Sequence, residues 1–444
     1  MSNFLFSRYR DNNLLLVPKI IYLFFGFQYY NIYDFRGIII VDGFDISPKN
    51  FGYYFGVIMF IIFFGFLMVG YLVDVYKLSK KKVLILLLTI SLIAIELMFC
   101  FSSYLRGKFL LWIPFFIYNF ANFPQVAILD KAMLDYLNSK NVSTNFLGNQ
   151  KLYEIFGFLI SVYFIENILL GKSKKGFEIN FNGFIVFIFI SISLNIFIIK
   201  LLLKDTNNIS RNNHLSPLKL FKNKKFVQFI IIVLLKGIVH TGLNLYFGSF
   251  LNKCLKLKTA KLSPDKPYRS QKIFFFIKNR PFTLLYTLES ISAAFLFSVS
   301  NLIIKSCGIY SLLFLSSFLN IIKGFILIIA NNNPFNSLKI LGFISILKGL
   351  SNSSFIVSGV NIADRLCNDE YRTTSQILFH GVYGSLTYII SGLIFSRNFS
   401  SGLTYEAFNI FFVQILGLKM MVMFAIILFY WVLERKLFDK SVEK

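Results

Sequence analysis

The sequence predicts an all-α polytopic membrane protein, with about 12 transmembrane helices in two pseudosymmetric six-helix bundles. Three observations predict it: apolar runs recur along the whole chain, charge is scarce, and the cations gather at the edges of the runs. Of 444 residues, 56% are hydrophobic, 18% aromatic and only 15% charged, too few solvating groups for a soluble fold of this length. Mean hydropathy is +0.65. A helix needs roughly 20 apolar residues to cross about 30 Å of hydrocarbon, so the chain has room for about a dozen crossings joined by short loops.

The runs fall at 14–40, 51–73, 83–104, 109–130, 152–170, 180–203, 226–251, 282–304, 308–330, 337–361, 376–396 and 408–433. The first follows a polar, basic segment (Arg8, Arg10, Lys19) and has no small-residue cleavage site, so it reads as an uncleaved insertion signal. The second ends in Gly70-Tyr-Leu-Val-Asp74 and meets the third across Lys77, Lys80, Lys81 and Lys82. There a carboxylate at one helix end can latch the cations that open the next. The fourth ends at Asp130-Lys131 and the fifth begins just after Lys151, which sets up an ion-pair network at one membrane face or, equally, a topology anchor. Residues 204–225 are polar, basic and close to the midpoint. They read as a cytosolic linker between an N-terminal half, 1–203, and a C-terminal half, 226–444.

An even number of crossings puts both termini on one side, and the cation count of the loops makes that side the cytosol. Residues 252–281 break the pattern, being strongly basic yet opposite on this count: either they are an inserted outer or lumenal loop, or the count of helices before them is off by one. The formal charge of +25 is distributed along run edges, where it anchors headgroups, so no nucleic-acid partner is expected. Cys100, Cys254, Cys307 and Cys367 lie scattered, without CxxC or metal spacing, and the three histidines, His214, His240 and His380, are far apart. An enzyme, a metal site and a cofactor are therefore not expected. ATP-driven pumping is not expected either, since no phosphate-binding glycine loop is present.

Ionisable residues in mid-run cost roughly 2.5–3.5 kcal/mol each on insertion scales, so each is a candidate for function. Lys236, His240 and Asn244 recur at i, i+4 and i+8 and share one drifting stripe; His240 carries the side chain that ordinarily titrates near neutrality. Glu289 lies early in the next run. Gln28 and Asn119, with Asn31 and Asn122, offer hydrogen-bonding groups from the first half. These are the candidate solute and coupling residues, with a satisfied structural network as the other reading. Glu96, Lys323 and Lys348 are weaker candidates: Glu96 as a proton carrier or, equally, a paired or snorkelling carboxylate, and the two lysines with a solvated or packing role at least as well supported. Gly381, Gly384 and Gly392 read as close helix packing.

The Gly70-x-Leu72-x-Asp74 loop with its lysines resembles the loop signature of the major facilitator superfamily, although the basic cluster sits two residues late. Further segments resemble its facilitator-like branch, which includes sugar:proton and nucleoside:proton symporters. They are Pro124 to Asp130, Leu147-Gly148 through Lys151, Tyr153 and Gly157, Glu289 through Lys305 and Gly308, and Tyr371-Arg372-Thr-Thr-Ser-Gln376. Leu147, Lys151 and Tyr153 stand where the branch has Tyr, Arg and Trp. The resemblance implies secondary, proton-coupled transport by alternating access, with Gly70, Asp74, Lys80, Lys81, Asp130, Lys151 and Arg372 as gate residues. The expected partners are a small polar solute, protons and the lipid bilayer; nothing in the sequence sets an oligomeric state, and a monomer suffices. The departures from the signatures keep open a receptor or scaffold that no longer cycles.

Overall fold

The computed structural model describes residues 15–33, 35–75, 78–140, 147–169, 179–203, 217–251, 281–332, 337–367, 372–400 and 402–433, and no strand occurs among them. Most of the expected linker (204–216) and of the basic loop (252–280) lies outside the described residues. The helices are α1 Leu16–Tyr29, α2 Arg36–Ile38, α3 Pro48–Val75, α4 Lys80–Cys100, α5 Trp112–Asn122, α6 Pro124–Ser139, α7 Leu147–Leu169, α8 Phe181–Leu202, α9 Lys224–Ser249, α10 Pro281–Cys307, α11 Ile309–Asn332, α12 Ser337–Arg365, α13 Arg372–Gly381, α14 Thr387–Phe395 and α15 Tyr405–Ile426.

Among the described residues, nine helices are long and apolar enough to cross a membrane. Each of the other three expected passages has a reason to fall short. The first is broken: α1 ends at Tyr29 and helix resumes at α2, running on as a π turn over Ile39–Gly43. The fourth is divided at Pro124, whose ring removes an amide donor and clashes with the preceding turn, giving α5 and α6. The fifth, α7, is 23 residues long but carries Lys151, Glu154 and Glu166. The run at 376–396 is also interrupted, by a π turn at Val382–Leu386 between α13 and α14.

Side-chain oxygens close the N-termini where helices meet polar surroundings. Ser79 accepts from the Lys82 amide (3.2 Å), Asn180 from Gly183 (3.1 Å), Asn223 from Lys225 (3.0 Å) and Thr404 from Ala407 (3.2 Å). Large apolar side chains such as Phe64, Ile93, Phe189, Phe295 and Phe424 are exposed. Such a surface suits hydrocarbon rather than water as its solvent.

The chain forms two compact units: Met1–Tyr33, Gly65–Leu169 and Asn180–His214 in the first, and Asp34–Phe64, Leu170–Ile179 and Leu215–Lys444 in the second. The boundary at His214–Leu215 falls inside the expected linker. Within the second unit Gly52 lets α3 touch α14: a Cβ on Gly392 would overlap the Gly52 carbonyl.

In the first unit α1 packs on α7 and α8, and α4 on α5 and α8. The α1–α7 crossing is glycine on glycine. A Cβ on Gly26 would overlap the Glu154 carbonyl, and one on Gly157 the Leu23 carbonyl, the close backbone approach that small residues permit in membranes. In the second unit α12 packs on α10 and α11, α11 on α15, and α9 on α14. Here Gly349 brings α12 against the Glu289 backbone of α10.

Gly157→Ala should therefore force α1 from α7 and lower stability by about 1–3 kcal/mol, the usual cost of overpacking. Gly384→Ala, where a new Cβ meets nothing within 4 Å, should be silent. Monodispersity in detergent after graded heating measures both, and a Gly157→Ala protein as heat-stable as its parent would contradict the packing described.

Candidate functional site

The second unit holds the densest set of ionisable groups inside membrane-length helices. Glu289 of α10 pairs with Lys348 of α12, Oε2 to Nζ 2.8 Å, with the side chains 18% and 14% exposed. The pair forms because Gly349, the residue after Lys348, removes the Cβ that would hold α12 off the Glu289 backbone. Lys348 also lies over the rings of Tyr286 (5.4 Å) and Phe247 (5.9 Å), which return part of the hydration it loses. Lys348, a weaker candidate in the sequence, is the partner of Glu289.

The Lys236–His240–Asn244 stripe lies on α9 as the spacing predicts, and its members find separate surroundings. Lys236, 4% exposed, donates to Ser316 of α11 and, at 3.5 Å, to Ser317, and sits 4.4 Å from the centroid of Phe355. Ser316 in turn donates to the Ser351 carbonyl of α12 (2.6 Å). His240 Nε2 and the Asn244 amide are in hydrogen-bond contact at 2.9 Å. The imidazole stacks on Tyr383 at 4.8 Å, a ring placed by the π turn Val382–Leu386. Wide turns of this kind re-aim side chains and recur at functional sites. No ion pair joins Lys236 to Glu289; Lys348 takes that place.

Two lysines complete the cluster. Lys323 of α11 is 4% exposed and Lys419 of α15 is 2% exposed; the Lys419 ammonium has no hydrogen-bond partner. Lys323 was only a weaker candidate in the sequence, and Lys419 was not singled out. The available signal was a lone lysine midway along an apolar run, which is also what a snorkelling residue looks like. Arg36 of α2 was missed too. It is buried, donates to the Tyr388 hydroxyl, and its guanidinium lies 4.7 Å from the Phe55 ring and 4.9 Å from the Tyr388 ring.

The first unit carries two polar networks. In one, Gln28 donates to Asn122 (3.2 Å) and accepts from Asn195 (3.2 Å), while Asn31 donates to Ser191 (2.7 Å) and accepts from Ser161 (2.9 Å). Gln28 is thus tied to its own unit, and Asn119 donates to the Phe115 carbonyl of its own helix (2.6 Å). In the other, Lys151 pairs with Asp130 Oδ2 at 2.5 Å, Tyr22 donates to Asp130 Oδ1 (2.8 Å), and Tyr30 donates to Glu154 (3.1 Å). The expected Asp130–Lys151 pair is present, joined by two tyrosines and a glutamate that the sequence did not single out. Glu96 of α4 keeps a buried Oε1 without a hydrogen-bond partner.

Of the remaining gate candidates, Lys80 is buried at the start of α4 and pairs with Asp135 of α6, while Lys81 beside it is half-buried. The side chains of Asp74 and Arg372 lie outside the described residues, within α3 and α13, and Gly70 is within α3. Among the described residues no group of three or more His, Cys, Asp or Glu is placed to hold a metal ion.

The MFS_1 like family matches residues 19–413. The chain belongs to that family. Solved structures of major facilitator proteins share its fold. A single-site variant of the nucleoside transporter NupG aligns with a TM-score of 0.74 at 16% identity, covering 94% of this chain and 100% of that one. A bacterial homologue of the human lysosomal transporter Spinster, in an inward-facing occupied form, aligns with a TM-score of 0.61 at 13% identity, covering 96% and 97%. No curated protein matches the sequence. The protein is accordingly an integral, multi-pass membrane protein of the major facilitator type.

In this MFS_1 like chain the Glu289–Lys348 pair is open to a direct test. Breaking a buried pair from one side leaves the other charge uncompensated, which costs about 3–5 kcal/mol at full burial; partial exposure reduces that here. Lys348→Met should lower thermal stability, and adding Glu289→Gln should restore most of it. Equal instability of the single and double variants would show that the two side chains do not depend on each other.

Proposed function

We propose that the protein is a secondary active transporter that moves a small polar solute by alternating access, coupled to protons. The observation that carries this reading is the Glu289–Lys348 pair in the interior of membrane-length helices, beside His240 and Lys323. Such a pair is weak evidence of stability, since apolar residues of similar volume do as well or better. In a membrane helix it points to function. A proton taken by the Glu289 carboxylate cancels its charge and releases the Lys348 ammonium to meet solute. Loss of the proton re-forms the pair. The difference in free energy between the two protonation states is the lever by which protons shift the balance of inward-open and outward-open forms.

Three further features support the reading. The His240–Asn244 contact supplies a donor and an acceptor for a polar solute, while Gln28 and Asn119 are hydrogen-bonded within the first unit. The Asp130–Lys151–Glu154 cluster and the Lys80–Asp135 pair are charge contacts able to make or break as a gate, together with Gly70, Asp74, Lys81 and Arg372. The likeness to NupG, a nucleoside transporter, adds nucleosides to the classes worth testing. In this mechanism the cycling bodies are the halves 1–203 and 226–444, joined by 204–225, with the termini in the cytosol. A non-transporting receptor or scaffold is the second reading, favoured by the late basic cluster after Asp74 and by Leu147 and Tyr153 in the α7 segment.

Purified protein in liposomes, with and without an imposed pH gradient, should accumulate at least one solute from a pool of labelled sugars, nucleosides, amino acids and carboxylates. Glu289→Gln should keep solute exchange and lose gradient-driven accumulation. Full gradient dependence in Glu289→Gln would sink the coupling assignment. A folded protein that moves none of the pool, and changes its protease accessibility when a solute is added, would favour the receptor.

A further inference from the structure

Away from helix ends, the membrane-length helices of the second unit hold four lysines, Lys236, Lys323, Lys348 and Lys419, against one described carboxylate, Glu289. They come from α9, α11, α12 and α15, helices that pack on one another. Lys323 is the hub, close enough to Lys236, Lys348 and Lys419 for their charges to act on one another. A Cβ built on Gly324, the residue after Lys323, lies 3.3 Å from the Lys419 ammonium. Lys348 is paired with Glu289 and Lys236 is held by two serine hydroxyls. Lys419, 2% exposed, has no hydrogen-bond partner among the described residues.

An assembly of this kind is costly when empty. Each ammonium has left water, like charges repel, and hydroxyls and rings return only part of the lost hydration. Simple packing does not require it, since a methionine would fill the space of each stem without the charge. What lowers the energy of several converging ammonium groups is a small ligand with compact negative charge and several acceptor oxygens. A neutral sugar or nucleoside offers acceptors and no compensating charge.

We propose that this cluster is an oxyanion-binding site, and that the solute is a small carboxylate or phosphate held first by Lys323 and Lys419, with Lys236 completing the shell. The inference rests on the transport reading for its consequence, not for the site itself. Lys348 joins when Glu289 takes a proton. The charge then balances in a simple way: one proton neutralises the carboxylate as one negative charge of the anion enters. Movement of a monoanion with one proton is electrically silent.

The test uses the full-length protein in detergent, titrated with inorganic phosphate, with succinate and with uridine as the neutral control, binding being followed by calorimetry and thermal stability. At least one of the two anions should bind saturably and raise the melting temperature. Uridine should do neither. Lys323→Gln and Lys419→Met should each weaken the anion at least about tenfold, the scale of one lost charge-assisted hydrogen bond, whereas Lys222→Gln, at an exposed lysine, should leave it unchanged. Lys419→Met keeps the volume of the stem and removes an unpartnered charge, so it should fold at least as well as the parent.

Failure of both phosphate and succinate to bind the parent protein overturns the inference, as does equal affinity in the parent and both lysine variants. Liposome flux separates this outcome from the transport reading. Saturable anion binding without flux removes transport and leaves the site standing, while uridine flux without anion binding removes the site and leaves transport standing.

Discussion

In hydrocarbon there is no water to satisfy a peptide group, so each backbone donor and acceptor has to find its partner inside the protein. Helices solve this for most of the chain, and the places where a passage departs from regular α-helix carry most of the information. The first passage breaks between Tyr29 and Arg36, the fourth at Pro124, and the eleventh widens into a π turn at Val382–Leu386. None of these breaks is bare. The residues of the first break and its flanks, Gln28, Tyr30, Asn31 and Arg36, are all hydrogen-bonded. Pro124 is flanked by Asn122 and Gln125, which bond to Gln28 and to the Ala121 carbonyl. The π turn places Tyr383 under His240 and is followed at once by Tyr388, which holds Arg36.

The same constraint acts on charge. The two units meet it in different ways. In the first, carboxylates and cations are matched: Asp130 with Lys151, Asp135 with Lys80, and tyrosine hydroxyls on Asp130 and Glu154. These contacts need no ligand to be complete. In the second, among the described residues, cations outnumber carboxylates in the helix interiors, and Lys419 has no hydrogen-bond partner. A network already satisfied by its own groups stores little tendency to change on binding. One with unsatisfied ammonium groups does so by construction, which is why the solute reading is placed in the second unit and the gate reading largely in the first.

The fold was legible because composition and run length are properties of single segments. The twelve runs predicted from hydropathy match the helical passages to within a few residues at most ends, and the departures occur where Pro124 or a cluster of polar residues outweighs apolar propensity. The stripe Lys236, His240, Asn244 was legible for the same reason, since helical spacing fixes a shared face. Partnership was not. Glu289 meets Lys348 because Gly349 allows α12 to approach α10, and nothing in either segment alone announces that approach. Lys80, whose described partner is Asp135 of α6, lies in a loop motif that pointed to Asp74. Lys419 and Arg36 were invisible because a single cation in an apolar run looks the same whether it reaches the headgroups or stays inside.

Arg36 shows what the sequence order conceals. It belongs to the first fifth of the chain, yet with Phe55 it packs in the second unit against Tyr388 of α14, the guanidinium covered by two aromatic faces and donating to one hydroxyl. Gly56 and Gly392 allow this approach, the first by admitting the Tyr388 carbonyl to 3.0 Å from where its Cβ would lie, the second by admitting the Gly52 carbonyl. The π turn between α13 and α14 carries Tyr383, stacked on His240, and Tyr388, bound to Arg36, lies in the helix that follows it. Such π turns are rare and are frequent at functional sites. Residues 34–64 are thus held in the second unit by a guanidinium between two rings and by glycines that let backbones meet, contacts that sequence distance hides.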